Sequence, residues 1–117
     1  MDKRANYRQA RKVIRLFCED LSKIIPLEKA ILFGSFAKGT AGPESDVDIV
    51  FLSRRFAGLD DLERAKLISK ARNNYNFSFD YFGFTPEEYE KASPLTTIGE
   101  IKETGQVVFS QSASTTF

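Results

Sequence analysis

Apolar residues recur at Val13, Ile14, Phe17, Leu21, Ile24 and Ile25, the i, i+3, i+4 spacing of one helical face. This pattern predicts an amphipathic helix over residues 3–25, closed by Pro26, which has no N–H to continue the ladder. Residues 29–33, KAILF, form a short apolar run ended by Gly34 and predict a buried strand. Residues 46–52, DVDIVFL, alternate polar and apolar and then become wholly apolar, which suits a strand with one end at a site and the rest buried. A helix is expected over 60–73, with Leu62, Ala65, Leu67 and Ile68 inward and Asp60 or Asp61 near its start. Residues 77–84, FSFDYFGF, read as an aromatic strand with Ser78, Asp80 and Phe82 on one side. Thr85-Pro86-Glu87-Glu88 has the order of an N-cap, a first-turn proline and first-turn acids. A further helix is expected at about 96–104, ending near Gly105, and then a last strand, QVVFS, at 106–110.

No internal repeat interrupts this order. The expected class is α+β, a small mixed β-sheet with helices packed on it, in a single domain over 1–110 with a polar tail over 111–117. The strand order stays open at this level.

With 117 residues, such a domain buries roughly 65% of the surface its unfolded chain exposes, enough for one core. Hydrophobic residues make up 42% and charged residues 28%, as in ordinary water-soluble globules. The net charge of +1 gives no global attraction to nucleic acid or anionic membrane. Six cations, Lys3, Arg4, Arg8, Arg11, Lys12 and Arg15, cluster at the start of the first helix; they suit a solvated face or a docking surface for an acidic partner or RNA. The chain has no histidine and a single cysteine, Cys18. Imidazole-based catalysis and every usual zinc site are thereby removed, and Cys18, inside the apolar stripe, reads as a small buried hydrophobe. A metal would have to be held by oxygens, which favours Mg²⁺ or Mn²⁺. MDKRANYRQARK is too polar for a signal peptide and no apolar run reaches 18 residues, so a cytoplasmic location and no membrane contact are expected.

The chemistry concentrates in three places. A buried strand ends in Gly34-Ser35, with Gly39 four residues beyond the serine. Glycine lets the chain turn and lets a ligand approach the backbone; a helix starting at Ser35 would aim free N–H groups at phosphate oxygens. By itself this turn occurs in many folds without phosphate. Asp46 and Asp48 open the next strand, where i and i+2 share a face about 6.5–7 Å apart. They are either solvated at the strand's end or held by a cation that relieves their repulsion. Asp80 lies within an aromatic strand, a poor place for a carboxylate unless it has a cation, a partner or a wet face. If that strand lies beside 46–52, three carboxylates can meet.

The segment GSFAKGTAGPESDVDIV resembles the signature of the polymerase β-type nucleotidyltransferase superfamily: a hydrophobic residue, Gly-Ser, a glycine shortly after, then Asp-x-Asp on the next strand. Ala37-Lys38-Gly39 and Ser45-Asp46-Val47-Asp48 bring it nearest to the minimal nucleotidyltransferases, short single-domain proteins often paired with a helical HEPN protein. The resemblance spans about residues 28–110. It implies the nucleotidyltransferase fold, ATP as substrate and two Mg²⁺ ions (or Mn²⁺). It also implies nucleotide contacts from Gly34, Ser35, Lys38 and Ser45, and metal ligation and catalysis by Asp46, Asp48 and Asp80. Where relatives commonly carry arginine this chain has Lys38, which keeps the charge but loses the bidentate fork.

The same resemblance implies transfer of AMP to a hydroxyl on a HEPN-type toxin, on a tyrosine, with this chain as antitoxin. Two other functions are compatible with these residues. One is a stand-alone enzyme acting on a small molecule, with a homo-oligomer building the acceptor pocket. The other is an inert partner-binding module, whose surface could use Phe56, Leu59 and Phe117. Nucleic acid is not an expected partner, since the chain has neither overall basic charge nor room for a template-holding domain.

Overall fold

The computed structural model describes residues 3–42, 45–72 and 77–111, with side chains from Tyr7 onward. The apolar N-terminal stripe becomes helix α1 (Lys3–Ser22), followed by strand β1 (Lys29–Phe33), the short helix α2 (Gly34–Lys38) and strand β2 (Val47–Leu52). A 3₁₀ turn (Arg54–Phe56) leads into α3 (Asp61–Ser69), β3 (Phe79–Phe84), α4 (Pro86–Lys91), α5 (Thr97–Thr104) and β4 (Gln106–Ser110). Residues 112–117 of the expected 111–117 tail, Phe117 among them, and the expected helical residue Asn73 lie outside the described residues.

The strands form one sheet in the order β3-β2-β1-β4. β1 is antiparallel to β2 and β4, and β2 is parallel to β3, so the sheet is mixed as expected. A parallel pair needs a crossover, and α3 supplies it. One sheet face is covered by α1, α2 and α3: Ile14, Phe17, Leu21, Phe36 and Ile68 pack on Ala30, Leu32, Ile49 and Phe51. Phe17 sits at the centre, with ring centroids 5.1 Å from Phe51 and 5.2 Å from Phe79, contacts worth about 0.5–1.5 kcal/mol each beyond burial. The opposite face is only half covered: Tyr89 of α4 and Ile101 of α5 close over Ile31, Val50 and Leu52. The other half of this face, where β1 ends and β2 and β3 begin, carries the carboxylates.

Helix boundaries follow their caps. Asp60 accepts from the Glu63 N–H while Glu63 accepts from the Asp60 N–H, a reciprocal box that fixes the start of α3; Thr85 and Glu88 do the same for α4. α1 stops at Ser22, short of the expected Ile25, because its last turn tightens: the Ile24 N–H bonds Leu21 O at 2.9 Å, and the Ser22 hydroxyl donates to Cys18 O at 2.7 Å.

Two expectations are corrected. Leu62 is 64% exposed and not inward. The buried face of α3 is Arg64 and Ile68, a true i, i+4 pair that hydrophobicity alone does not pick out. Arg64 is tolerated inside because its guanidinium donates to Leu59 O (2.9 Å), Gly83 O (3.0 Å) and both oxygens of Glu88 (2.7 and 3.0 Å). Phe56, offered as part of a partner surface, is fully buried. Its ring lies against Gly83, where an added Cβ would come within 2.9 Å of it. Among the described residues no helix is long and apolar enough to cross a membrane.

Candidate active site

Gly34 is the joint between the turn and the carboxylates. Its φ of 71° places it in the left-handed region, which glycine enters without steric penalty. A Cβ there would overlap Oδ2 of Asp48 and lie 3.1 Å from its Cγ. Phe33 and Asp48 are register partners on β1 and β2, so the residue after Phe33 necessarily passes beside that carboxylate. The Gly-Ser turn and the Asp-x-Asp strand are therefore one packed unit. α2 starts with no side-chain cap, leaving its first N–H groups without side-chain acceptors. Phe36 anchors α2 in the core, and Gly39, at φ 75°, ends it, its N–H turned back toward Phe36 O.

Asp48 and Asp80 are register partners on the parallel strands β2 and β3, so both project from the uncovered half of the sheet. Asp46 is exposed, immediately before β2. Burial, then the charges of Asp80 and Asp46, then a hydrogen bond with Asp80 push the Asp48 carboxyl above its usual range. No lysine or arginine among the described residues pairs with any of the three. Among the described residues no group of three or more such side chains is gathered closely enough to hold an ion. The donor set is all oxygen and lacks a counter-charge. It fits a hard divalent cation such as Mg²⁺, with Asp48 central and Asp46 and Asp80 on either side.

Ser35 is half-buried in α2, and its carbonyl receives the Thr40 N–H at 2.9 Å. The Ser45 hydroxyl accepts the Gly42 N–H at 2.9 Å and so braces the loop before β2. Lys38 is exposed at the far end of α2 and forms no ion pair among the described residues. With Tyr7, Arg8, Phe36 and Gln106 it borders a cavity of about 460 Å³, which none of the three aspartates lines. Gly34, Asp48 and Asp80 thus come together, Asp46 stands at their edge, and Lys38 faces elsewhere.

The nucleotidyltransferase domain model matches residues 11–107, spanning the turn, all three aspartates and every strand of the sheet but its last residues. The chain belongs to the nucleotidyltransferase family. A Methanocaldococcus jannaschii protein assigned as a protein adenylyltransferase is 33% identical over 96 residues, covering 80% of this chain and 93% of that protein. Among solved structures, a Sulfolobus solfataricus protein assigned as a nucleotidyltransferase has TM-score 0.65 at 18% identity, covering 94% of this chain and 85% of its own. A toxin–antitoxin complex with AMP-PNP has TM-score 0.57 at 24% identity, covering 93% of this chain and 77% of its own. A tri-AMPylated Shewanella oneidensis HEPN toxin in complex with MNT antitoxin has TM-score 0.52 at 21% identity, covering 97% and 76%. These likenesses establish the fold. The nucleotidyltransferase has two features on its uncovered face that motif reading did not assign to the site: Phe33 and Phe82, whose ring centroids lie 6.2 Å apart. The alternation of 77–84 put Phe82 on the side of Asp80, but the approach of Phe33 depends on strand order.

Proposed function

We propose that this nucleotidyltransferase moves AMP from ATP to a hydroxyl on a partner protein, a tyrosine of a HEPN-type toxin, and acts as its antitoxin. The observation that carries the reading is the packing of Gly34 against the Asp48 carboxylate, with Asp80 in register beside it. Triphosphate and acceptor can then meet at one point. The relative assigned as a protein adenylyltransferase and the complexes with AMP-PNP and with an AMPylated HEPN toxin support the adenylyl donor and the protein acceptor.

Gly34 and Ser35 receive the triphosphate, whose oxygens take the backbone N–H groups at the start of α2 and the Ser35 hydroxyl. Asp46, Asp48 and Asp80 would hold Mg²⁺, which when bound would supply charge neutralisation for the triphosphate and a lowered pKa for the acceptor hydroxyl. Asp80, on the strand beside Asp48, takes the acceptor's proton. The acceptor oxygen bonds the α-phosphorus, the bond to the β-phosphate bridge breaks, and pyrophosphate leaves with that electron pair.

Incubation with α-labelled ATP and Mg²⁺, with and without the HEPN-type partner, tests this. Label on the partner, lost in Asp46→Ala, is the expected result. Nucleotide binding without any protein labelling would redirect the reading to a small-molecule acceptor. No nucleotide binding would leave the inert module.

A further inference from the structure

The uncovered half of the sheet carries an aromatic pair that the chemistry above does not use. Alternation places Phe33, Val50 and Phe82 on the same face as Asp48 and Asp80. Phe33 is on β1 and Phe82 on β3, with β2 between them, so their backbones are two strand spacings, about 10 Å, apart. Their ring centroids nevertheless lie 6.2 Å apart with planes tilted 41°. The rings lean toward each other across β2, beside the carboxylates. Phe82 is 49% exposed, the one exposed phenylalanine among the described residues. Apolar surface left in water next to a reaction centre needs an occupant to gain anything.

We infer that Phe82, supported by Phe33, selects the acceptor: it stacks on the aromatic ring that bears the acceptor hydroxyl and disfavours polyhydroxylated acceptors. This rests on the reading of Asp46, Asp48 and Asp80 as a nucleotidyl-transfer centre. Phe82 and Asp80 are i and i+2 on β3, about 6.5–7 Å apart along the strand. A phenol ring lying on Phe82 therefore aims its oxygen along the strand at Asp80. Phe33 and Phe82 offer no side-chain hydrogen bond, so a sugar with several hydroxyls would lose water there without replacement. A ring with a single hydroxyl loses almost none and gains offset or edge-on contact with Phe82. Phe82 is a specificity residue: its effect belongs in the acceptor KM and in the choice among acceptors.

The test uses the full chain with α-labelled ATP and Mg²⁺ on three probes: a tyrosine peptide, the same peptide with serine in that place, and an aminoglycoside. The wild type is expected to label the tyrosine peptide with kcat/KM at least tenfold above either alternative. Phe82→Ala raises the KM for the tyrosine peptide about tenfold, leaves the KM for ATP unchanged, and erodes the preference. Phe82→Leu, which keeps apolar bulk without a ring, lies between and serves should Phe82→Ala lose its fold. An unchanged acceptor KM in both variants, or a raised ATP KM in its place (assigning the ring to the nucleotide base), overturns the inference while transfer by the wild type keeps the enzyme reading intact. A wild type preferring the aminoglycoside also overturns it. A wild type that labels none of the three probes fails at the earlier step and removes both.

Discussion

At the residue scale, two glycines with nearly the same backbone angle separate strain from function. Gly34 has φ 71° and Gly39 φ 75°, but a Cβ on Gly39 would meet nothing within 4 Å, whereas one on Gly34 would strike Asp48. Gly39→Ala is therefore expected to cost about 1–2 kcal/mol, the left-handed penalty alone, and to keep nucleotidyl transfer. Gly34→Ala pays the same penalty and also displaces Asp48, so transfer is lost. Thermal melts alongside label transfer distinguish the two; equal activity in both variants would refute the coupling of turn and carboxylate. Asp48 itself is held among like charges. In the presence of a chelator, Asp48→Asn is expected to raise the melting temperature by a few degrees while abolishing transfer, because it removes repulsion that the metal-free chain must bear. A lower melting temperature would mean that the carboxylate is satisfied without a cation.

At the scale of elements, Arg64 ties α3, β3 and α4 together through Gly83 O and Glu88. Arg64→Ala would leave the carbonyls of Leu59 and Gly83 without their donor, and a cost of about 2–4 kcal/mol is expected from urea unfolding. Arg64→Lys should recover only part of this, since one ammonium cannot span the same acceptors. The Arg64 guanidinium holds the Glu88 carboxyl down at about 2. A depressed acid contributes stability that is fully present above its ordinary value of 4.5 and is lost as pH falls toward about 2. The Glu88 side chain is 44% exposed, so solvent screening keeps the contribution small. Glu88→Gln should flatten the pH dependence of stability in that window. In α1, burial raises the Cys18 thiol to about 12, so a thiol reagent should react only on unfolding; rapid labelling of the native chain would contradict the packing of α1.

At the scale of the whole molecule, the candidate site draws on β1, β2, β3 and α2 together. Ligand binding there stabilises the entire fold and not one loop. Mg²⁺ with a non-hydrolysable ATP analogue at 100 times its Kd should add about 2.7 kcal/mol to unfolding, seen as a raised melting temperature. Asp48→Asn should lose this increment, and an unshifted wild type would argue against nucleotide binding at this face. The half-covered sheet sets where a partner can approach. α4 and α5 close one half over Ile31, Val50 and Leu52, leaving the carboxylate end uncovered.

Much of this was legible in the chain. The apolar stripe of α1, the short runs of β1 and β2 and the Thr85–Glu88 cap all rest on local spacing and local hydrogen bonds, which sequence encodes directly. Motif spelling brought Gly34, Ser35, Asp46, Asp48 and Asp80 forward, and the mixed α+β class followed from element order. Local pattern failed where a residue's environment is made by distant chain. Apolar periodicity passes over Arg64, whose buried place depends on Gly83 and Glu88, and Phe56 suits a partner surface until Gly83 makes room for its ring. Strand order likewise came only from tertiary pairing. The pairing of β2 with β3 decided that Asp80 faces Asp48, and that of β1 with β2 decided that Gly34 must be glycine for two reasons and not one. Sequence determined which residues are candidates for the chemistry, because side-chain type is local; the fold decided which of them meet, because meeting depends on contacts between residues far apart in the chain.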